Sequence, residues 1–308
     1  MPKSNKNPRI FISPINQQII DAINRFDPEG EKIGLILSQR QHNTDGGYIP
    51  YNIIDQVYDM PHLLERDHFH NNDFNNDESH FEYDASVFDV IHLDPWSNAG
   101  DKVEGYAKAK ATLDFWLEKF NQQKELEYEL GTEEFVCILE ADKLDYIIEN
   151  IKSKIRYVVC QGGSVVFNLQ NQAPIEIEKT KSFINVARKH GCQTKRHNCD
   201  FHTNEELMQL SDLGIDTFNF APEFTYIYNK TITDSFSSEL INHFYKKIIL
   251  KTPWDRWLTS DAKPVSFLYA CLHYLNNEKI IDNEASCEHE KIVTNMQIRM
   301  EEIWKAIN

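Results

Sequence analysis

Residues 62–70, with the sequence HLLERDHFH, pass from an apolar run into four ionisable residues, Arg66, Asp67, His68 and His70. The apolar run predicts a buried strand, and α/β proteins often bring reactive groups to an active site at the end of such a strand. In an adjacent Asp-His pair, the imidazole can hold a metal while the carboxylate moves a proton. Taken alone, the segment favours the plainer interpretation of a solvated strand end with a surface salt bridge. The chemical interpretation therefore depends on whether the pattern recurs.

The pattern does recur, because eight strand-like segments alternate with helical ones along the chain. The predicted strands are 9–13, 32–37, 63–66, 87–93, 126–130, 157–160, 193–197 and 216–220. Eight strand-then-helix units at a spacing of roughly 25–35 residues predict an α/β fold, a (β/α)8 TIM barrel. A doubly wound sheet is the second choice, but no GxGxxG or GxxxxGK[ST] motif follows the first strand.

Residues 1–230 are predicted to form the barrel, and residues 231–308 a helical C-terminal extension packed on it. Helical spacing of apolar residues predicts helices near 101–120, 142–155 and 177–190, and three more near 235–248, 264–277 and 288–306. Thr203 and Glu206 match a capping box, and Gly214 is placed to end the helix that follows. The acidic, Asn-rich stretch 71–89 is predicted to be a solvated loop or short insertion.

Composition narrows the class of protein. A formal net charge of −16 over 308 residues argues against a nucleic-acid partner and against attraction to an anionic membrane. The six cysteines lie far apart without a CxxC pair, which predicts reduced thiols in a cytoplasmic protein. Nothing near Cys199 marks it as a nucleophile. Neither a signal peptide nor an apolar run long enough for a membrane span is evident.

In a barrel, the side chains at the carboxyl ends of the strands converge on one mouth. Several carboxylates and two imidazoles facing one cavity suit a divalent metal with an acid/base partner. The predicted catalytic residues are Asp67, Glu133 and Asp200. The predicted metal ligands are His68, Glu129 and His197. The predicted substrate-binding residues are Gln39, Asp94, Gln161, Gly163 and Ser164, the last two because their backbone N–H groups could receive a phosphate.

Several of these side chains have equally simple structural interpretations. Glu129 and Glu133 could pair with Lys or Arg across the barrel. His92 precedes its strand end and is predicted to face the helices in a structural role. His70 and His202 lie one step beyond their strands and are predicted to be loop residues.

The order of short motifs between about residues 9 and 258 is similar to that of a known family. The motifs are Gln39 with the turn 46–48, Asp67-His68, 92–94, 131–133, Gln161 with its glycine, 197–200 and the segment 254–258 (WDRWL). Together they resemble the family named as the non-catalytic subunit of class II tagatose-bisphosphate aldolase, also described as tagatose-6-phosphate kinase-like. The resemblance implies a TIM barrel, sugar-phosphate substrates and a relationship to zinc-dependent ketose-bisphosphate aldolases and ketose-phosphate epimerases.

The resemblance also implies roles for individual residues. Asp67 would handle protons, His68 would bind zinc, and His197 would match a second zinc histidine. Gln161 stands where the family's remaining zinc histidine is expected, so a carboxylate such as Glu129 or Glu133 would have to complete the site. The stretch after His68 lacks the usual Gly and Pro, and this departure, like the acidic insertion at 71–86, indicates a different substrate.

Two functions follow. The first is a metal-dependent, ketose-type epimerase or aldolase-like lyase, acting on a phosphorylated or nucleotide-linked sugar. The second is a non-catalytic subunit that stabilises a partner aldolase. The sequence favours the enzyme, since an idle barrel has no need of acid, base and ligand residues at so many strand ends. A kinase is the weakest choice, because no nucleotide-phosphate loop is present.

Overall fold

The computed structural model describes residues 3, 6–38, 41, 49–69, 78–94, 126–132, 140–150, 155–162, 165–172, 174–275 and 278–308, with the backbone alone for 51, 68, 69 and 78–81. The strands of these ranges are β1 (Ile10–Ile12), β2 (Ile33–Ser38), β3 (Leu64–Phe69), β4 (Val90–Leu93), β5 (Glu127–Leu130), β6 (Ile155–Val159), β7 (Val166–Phe167), β8 (Gln170–Asn171), β9 (Gln193–Arg196) and β10 (Thr217–Phe220). The α-helices are α1 (Gln17–Phe26), α2 (Tyr51–Asp59), α3 (Glu78–Val87), α4 (Ala141–Glu149), α5 (Ile177–Lys189), α6 (Asn204–Leu213), α7 (Pro222–Thr233), α8 (Ser238–Lys251), α9 (Pro264–Cys271), α10 (Lys279–Cys287) and α11 (His289–Ile307).

Eight strands form a closed barrel in the order β1, β2, β3, β4, β5, β6, β9 and β10, and every neighbouring pair is parallel. The predicted (β/α)8 barrel is therefore confirmed, and each of the eight predicted strands is present. β2 is buried along nearly its whole length, as expected for a parallel strand covered on both faces. The remaining two strands, β7 and β8, form a short antiparallel hairpin after β6.

Local sequence signals set several helix ends. The Asn16 side chain accepts a hydrogen bond from the Ile19 N–H and so caps α1. α6 begins with the predicted capping box, in which Thr203 and Glu206 each accept from the other's backbone N–H. The same helix ends at Gly214, whose φ of 111° lies in the left-handed region that favours glycine.

The predicted loop at 71–89 is partly wrong, because α3 occupies part of this stretch. Asp84 of this helix is buried and forms an ion pair with the buried Arg66 of β3. The Arg66 guanidinium also lies 4.1 Å from the centre of the Phe88 ring. The acidic composition concealed the helix, since a carboxylate that looked solvated is half of a buried ion pair.

Three other predictions about element boundaries have different outcomes. The helix predicted to reach residue 155 ends at Glu149, because Ile155 already begins β6. The strand predicted from residue 87 starts at Val90, because Val87 is the last residue of α3. The helix predicted at 101–120 lies outside the described residues.

The C-terminal helices pack on the barrel's outer layer. α11 lies against α1, α6 and α7, and it buries Ile292, Met296, Met300 and Ile303. The predicted C-terminal helices are therefore present. The predicted domain boundary after residue 230 falls within α7, and the division into two domains stays a prediction. Among the described ranges, no helix combines the length and apolar character needed to cross a membrane.

Two buried histidines predict that the fold loses stability in mild acid. Burial lowers the pKa of His62 to about 4 and that of His273 to about 3, from an ordinary 6.5. Both rings bind a proton more readily in the unfolded chain than in the folded protein. Their contribution to the free energy of unfolding is therefore fully present above pH 6.5 and is lost as the pH falls towards 4.

We expect the His62→Leu variant to lose less stability than the wild type between pH 7 and pH 4, with a difference of about 2–3 kcal/mol at 1.36 kcal/mol per pKa unit. Urea unfolding at several pH values measures it. His289→Leu, at a partly exposed surface histidine beside Asp21, serves as the control. A His62→Leu variant with the wild-type pH dependence would contradict the assignment.

Candidate active site

Alternate side chains of each barrel strand point inwards, and one interior layer of this barrel is charged. It consists of Phe11 from β1, Glu65 from β3, Glu129 from β5 and Lys195 from β9, all fully buried. The Lys195 Nζ forms ion pairs with Glu65 and, at 2.8 Å, with Glu129 Oε2. It also lies 3.6 Å from the centre of the Phe11 ring. Such layers are commonly built from Val, Ile and Leu, so ionisable groups at the centre of the barrel require an explanation.

Towards the carboxyl ends of the strands, three ionisable side chains converge above this charged layer. Asp67 and His197 each follow a member of the layer by two residues, and His92 comes from β4. The Asp67 Oδ1 lies 3.3 Å from His92 Nδ1 and 3.9 Å from His197 Nδ1. The two imidazole rings are 4.9 Å apart, centre to centre. Both histidines are buried, whereas the Asp67 side chain is 18% exposed.

The Nε2 atom of each imidazole, on the side of the ring away from Asp67, also has a polar partner. The His92 Nε2 lies 3.0 Å from the Gly131 carbonyl oxygen, and the His197 Nε2 is hydrogen-bonded to Glu129 Oε1. Gly131 has a φ of 137°, and a Cβ at this position would come within 2.8 Å of Val159. The carbonyl that orients His92 therefore depends on glycine. Both rings thus turn Nδ1 towards Asp67.

Electrostatics separate the two buried glutamates. Burial raises the pKa of Glu65 well above its ordinary value, and the nearby Glu129 carboxylate raises it further. Burial also acts to raise the pKa of Glu129, but Lys195, His197 and His92 outweigh it and hold that pKa well below its ordinary value. Of the two, Glu129 therefore keeps its negative charge more readily, and it contacts both a lysine and a histidine.

Two other predicted residues lie at neighbouring strand ends. Asp94, just after β4, is fully buried and accepts a hydrogen bond from the Thr132 hydroxyl at 3.0 Å. Gln161, just after β6, is also buried. The next residue, Gly162, gives its carbonyl to the Arg196 guanidinium at 2.7 Å. A side chain at Gly162 would collide with that guanidinium.

The predicted catalytic residue Asp200 contacts the next βα unit. Its Oδ1 accepts the backbone N–H groups of Ala221 and Glu223 at the start of α7. Burial, with the Glu223 charge, raises the pKa of Asp200 to about 8. Glu223 accepts the Phe201 N–H and pairs with Arg299 of α11 at 2.7 Å. These contacts fasten the loop after β9, and a catalytic role for Asp200 stays a prediction.

The β7–β8 hairpin also forms hydrogen bonds with the loop after β9. Asn171 donates to the carbonyl oxygens of Asn198 at 3.0 Å and Asp200 at 3.4 Å. Asn198 and Phe201 both have positive φ, 54° and 60°. A backbone held in this region by its surroundings is typical of functional loops, and here the loop directly follows His197.

The structure brings together three of the predicted residues, namely Asp67, Glu129 and His197. For His68, the structure describes the backbone in β3 and not the side chain. Gln39, Glu133, Gly163, Ser164 and the loop histidine His70 lie outside the described residues.

His92 is where the sequence interpretation was wrong. It is buried in the barrel beside His197 and Asp67, whereas the sequence placed it against the helices. Lys195 and Glu65 were missed as well. The signal for all three was the strand period of two, because His92 shares a face with Asp94, Glu65 with Asp67, and Lys195 with His197.

Cys199, in contrast, has no sign of reactivity. Its thiol is fully buried and donates to the Arg196 carbonyl oxygen at 3.2 Å. Burial raises the pKa of this thiol, which is the opposite of what a nucleophilic cysteine requires.

Among the described residues, three groups could surround a metal ion. They are Asp67 with His92 and His197, Glu65 with Glu129 and His197, and Asp145 with Glu149 and His190 on the surface. The Lys195 ammonium is paired with both glutamates of the second group, and Lys189 pairs with both carboxylates of the third. The first group is therefore the best site for a cation.

No protein-family model matches this chain, and no curated protein sequence does. Similar solved structures include the fructuronate-tagaturonate epimerase of Cohnella laeviribosi, with a TM-score of 0.76 and 10% identity over 100% of this chain and 84% of that one. A probable tagatose 6-phosphate kinase from Sinorhizobium meliloti has a TM-score of 0.66 and 15% identity over 97% and 100%. The fructose-bisphosphate aldolase of Campylobacter jejuni has a TM-score of 0.55 and 14% identity over 98% and 91%. The first is named an epimerase, the third an aldolase and the second a probable kinase. These are the three kinds of protein to which the sequence motifs pointed. At these identities the likeness shows a shared fold.

Proposed function

We propose that the protein is a metal-dependent enzyme that acts next to the carbonyl of a ketose-type sugar, by epimerisation or by aldol-type cleavage. The convergence of Asp67, His92 and His197 at one end of the barrel carries the proposal. Active sites of this fold lie at the carboxyl ends of the strands. The names of two structural neighbours, an epimerase and an aldolase of ketose sugars, support the same chemistry.

The residues present fit a divalent metal ion. Ligating histidines usually give their second ring nitrogen to a carbonyl or carboxylate, which orients the first nitrogen towards the metal. His92 and His197 have this arrangement, and we assign both as metal ligands, with His68 as the predicted third imidazole. Imidazole ligands suit zinc and other late first-row ions. A divalent ion held there would supply a Lewis acid that polarises the substrate carbonyl.

Asp67 is assigned as the group that moves the proton. Of the three converging side chains it is the most exposed, so it can meet a substrate that enters from the mouth. Its carboxylate would take the proton from the carbon or hydroxyl next to the carbonyl. Epimerisation then needs a second group on the opposite face of that carbon, and Glu133 is proposed for this role.

In this proposal Glu129 supports a metal ligand and does not bind the metal itself. It was predicted as a ligand, but its Oε1 holds His197 and its Oε2 faces Lys195. We therefore assign it to orienting His197. Asp94, Gln161 and Gln39 are proposed to bind substrate hydroxyls, and the backbone of Gly163 and Ser164 an anionic group such as phosphate.

Solvent deuterium exchange tests the proposal whichever product the reaction forms. The full-length protein, loaded with Zn²⁺, Mn²⁺ or Co²⁺, is incubated in D2O with ketose phosphates, ketose bisphosphates and ketouronates. Proton NMR then follows the hydrogens beside the carbonyl. We expect exchange with at least one of these ketoses, loss of exchange with a chelator, and recovery when metal is returned.

Metal-loaded protein that exchanges no hydrogen with any of these sugars would contradict the enzyme. The stabilising-subunit alternative is then examined by adding a class II aldolase and measuring its thermal stability. A chain that raises the partner's midpoint, yet exchanges nothing itself, would support that alternative.

A further inference from the structure

We propose that Lys195 and Glu65 are positioning residues that hold the Glu129 carboxylate against His197, so that the His197 Nδ1 faces the reacting centre. The inference deepens the proposed function and relies on it for the meaning of that centre. Neither Lys195 nor Glu65 is accessible to a substrate, since both side chains are fully buried. Their effect must therefore pass through another residue.

The charged layer carries a cost in free energy. Each ion buried in a protein loses several kcal/mol of hydration, and apolar residues of similar volume often stabilise a core as well or better. This barrel nevertheless places an ammonium and two carboxyl groups where the fold usually has aliphatic side chains. Stability alone does not explain the choice.

Aromatic rings confine the Lys195 ammonium. Its Nζ lies 3.6 Å from the centre of the Phe11 ring and 4.7 Å from that of the Tyr157 ring. A Cβ on Gly34 would come within 2.4 Å of the Phe11 ring, so the absence of a side chain at position 34 leaves room for that ring. The ammonium is thereby fixed as a point charge beneath the carboxylate of Glu129.

A continuous series of contacts joins the Lys195 ammonium to the site. Glu129 Oε2 pairs with Lys195, and its Oε1 is hydrogen-bonded to the His197 Nε2. A carboxylate can only accept a hydrogen bond, so the His197 Nε2 must carry a proton. In the neutral ring, Nδ1 is then left as an acceptor directed towards Asp67. Asn219, whose amide lies 3.0 Å from the same Nε2, can accept from this proton through its oxygen after an amide rotation.

The tautomer of His197 in the metal-free protein is the direct measurement. Full-length protein with ¹⁵N-labelled histidine is examined at pH 8, and a His197→Gln variant assigns the resonance. We expect the proton on Nε2 in the wild type. We expect a mixture of tautomers in the double variant Lys195→Met with Glu65→Leu, which removes the ammonium together with its second partner and so leaves neither of them unpaired. Zn²⁺ affinity, measured by competition with a coloured chelator, should fall about 10–100-fold in that variant.

Glu127→Gln is the matched control, because Glu127 is a buried glutamate two residues earlier on β5 that pairs with Arg156. It should change neither the tautomer nor the Zn²⁺ affinity. A wild-type His197 with its proton on Nδ1 overturns the proposal even if the double variant does not fold. So does a folded double variant with the wild-type tautomer and affinity. Wild-type protein that keeps the Nε2 proton but neither binds metal nor exchanges deuterium would overturn the proposed function and leave the positioning role in place.

Discussion

Replacing Asp67 with asparagine should lower the rate of deuterium exchange into the substrate by about 10²–10⁴-fold, the usual contribution of a positioned general base. The amide has nearly the same shape as the carboxylate but cannot take a proton. His92 and His197 keep their contacts with Gly131 and Glu129 in this variant. The exchange rate should therefore fall while the metal content changes little.

The measurement pairs the exchange assay with metal analysis of the same preparation. Asp145→Asn is the matched control, because Asp145 makes its ion pairs with Lys189 and His190 on the surface. This control should exchange at the wild-type rate. If Asp67→Asn loses its metal together with its activity, Asp67 is a ligand. If it retains full activity, the proposed proton transfer is wrong.

The barrel itself could be predicted from the sequence. Continuous apolar runs such as β2, separated by helical patterns, identify buried parallel strands from local sequence alone. The helix α3 could not be predicted in this way. Its buried carboxylate, Asp84, takes its partner Arg66 from β3, and a pairing between distant residues leaves no mark in the local composition.

Only part of the site could be predicted from the sequence, for a related reason. Asp67 and His197 were identified because they close their strands with ionisable groups. His92 was misjudged because its position relative to the strand end was weighed above the alternation of faces. The pairing of Lys195 with Glu129 spans the barrel from β9 to β5. Sequence reasoning could suggest that some cation pairs with Glu129, and only the register of the strands identifies which one.

Replacing His92 with glutamine should lower the affinity for Zn²⁺ at least 100-fold. Loss of a residue that merely supports a ligand typically costs 10–100-fold, and here an assigned ligand is removed. Glutamine fills much of the same volume but offers a weaker donor in a different position. Gly131 and Asp67, which now hold the two ring nitrogens of His92 at 3.0 and 3.3 Å, would remain in place.

The surface group of Asp145, Glu149 and His190 could add weak binding that obscures this loss. The affinity is therefore measured in a His190→Gln background, with and without His92→Gln, by competition with a chelator. His190→Gln alone should bind one tight Zn²⁺ like the wild type, because the tight site lies inside the barrel. If tight binding is already lost in His190→Gln, or if it survives when His92→Gln is added, the metal site lies outside the barrel or does not include His92, and the assignment of His92 fails. Because His92 and His197 face the same carboxylate from neighbouring directions, the loss on removing either one should also be larger than the loss on removing His202, which pairs with Glu206.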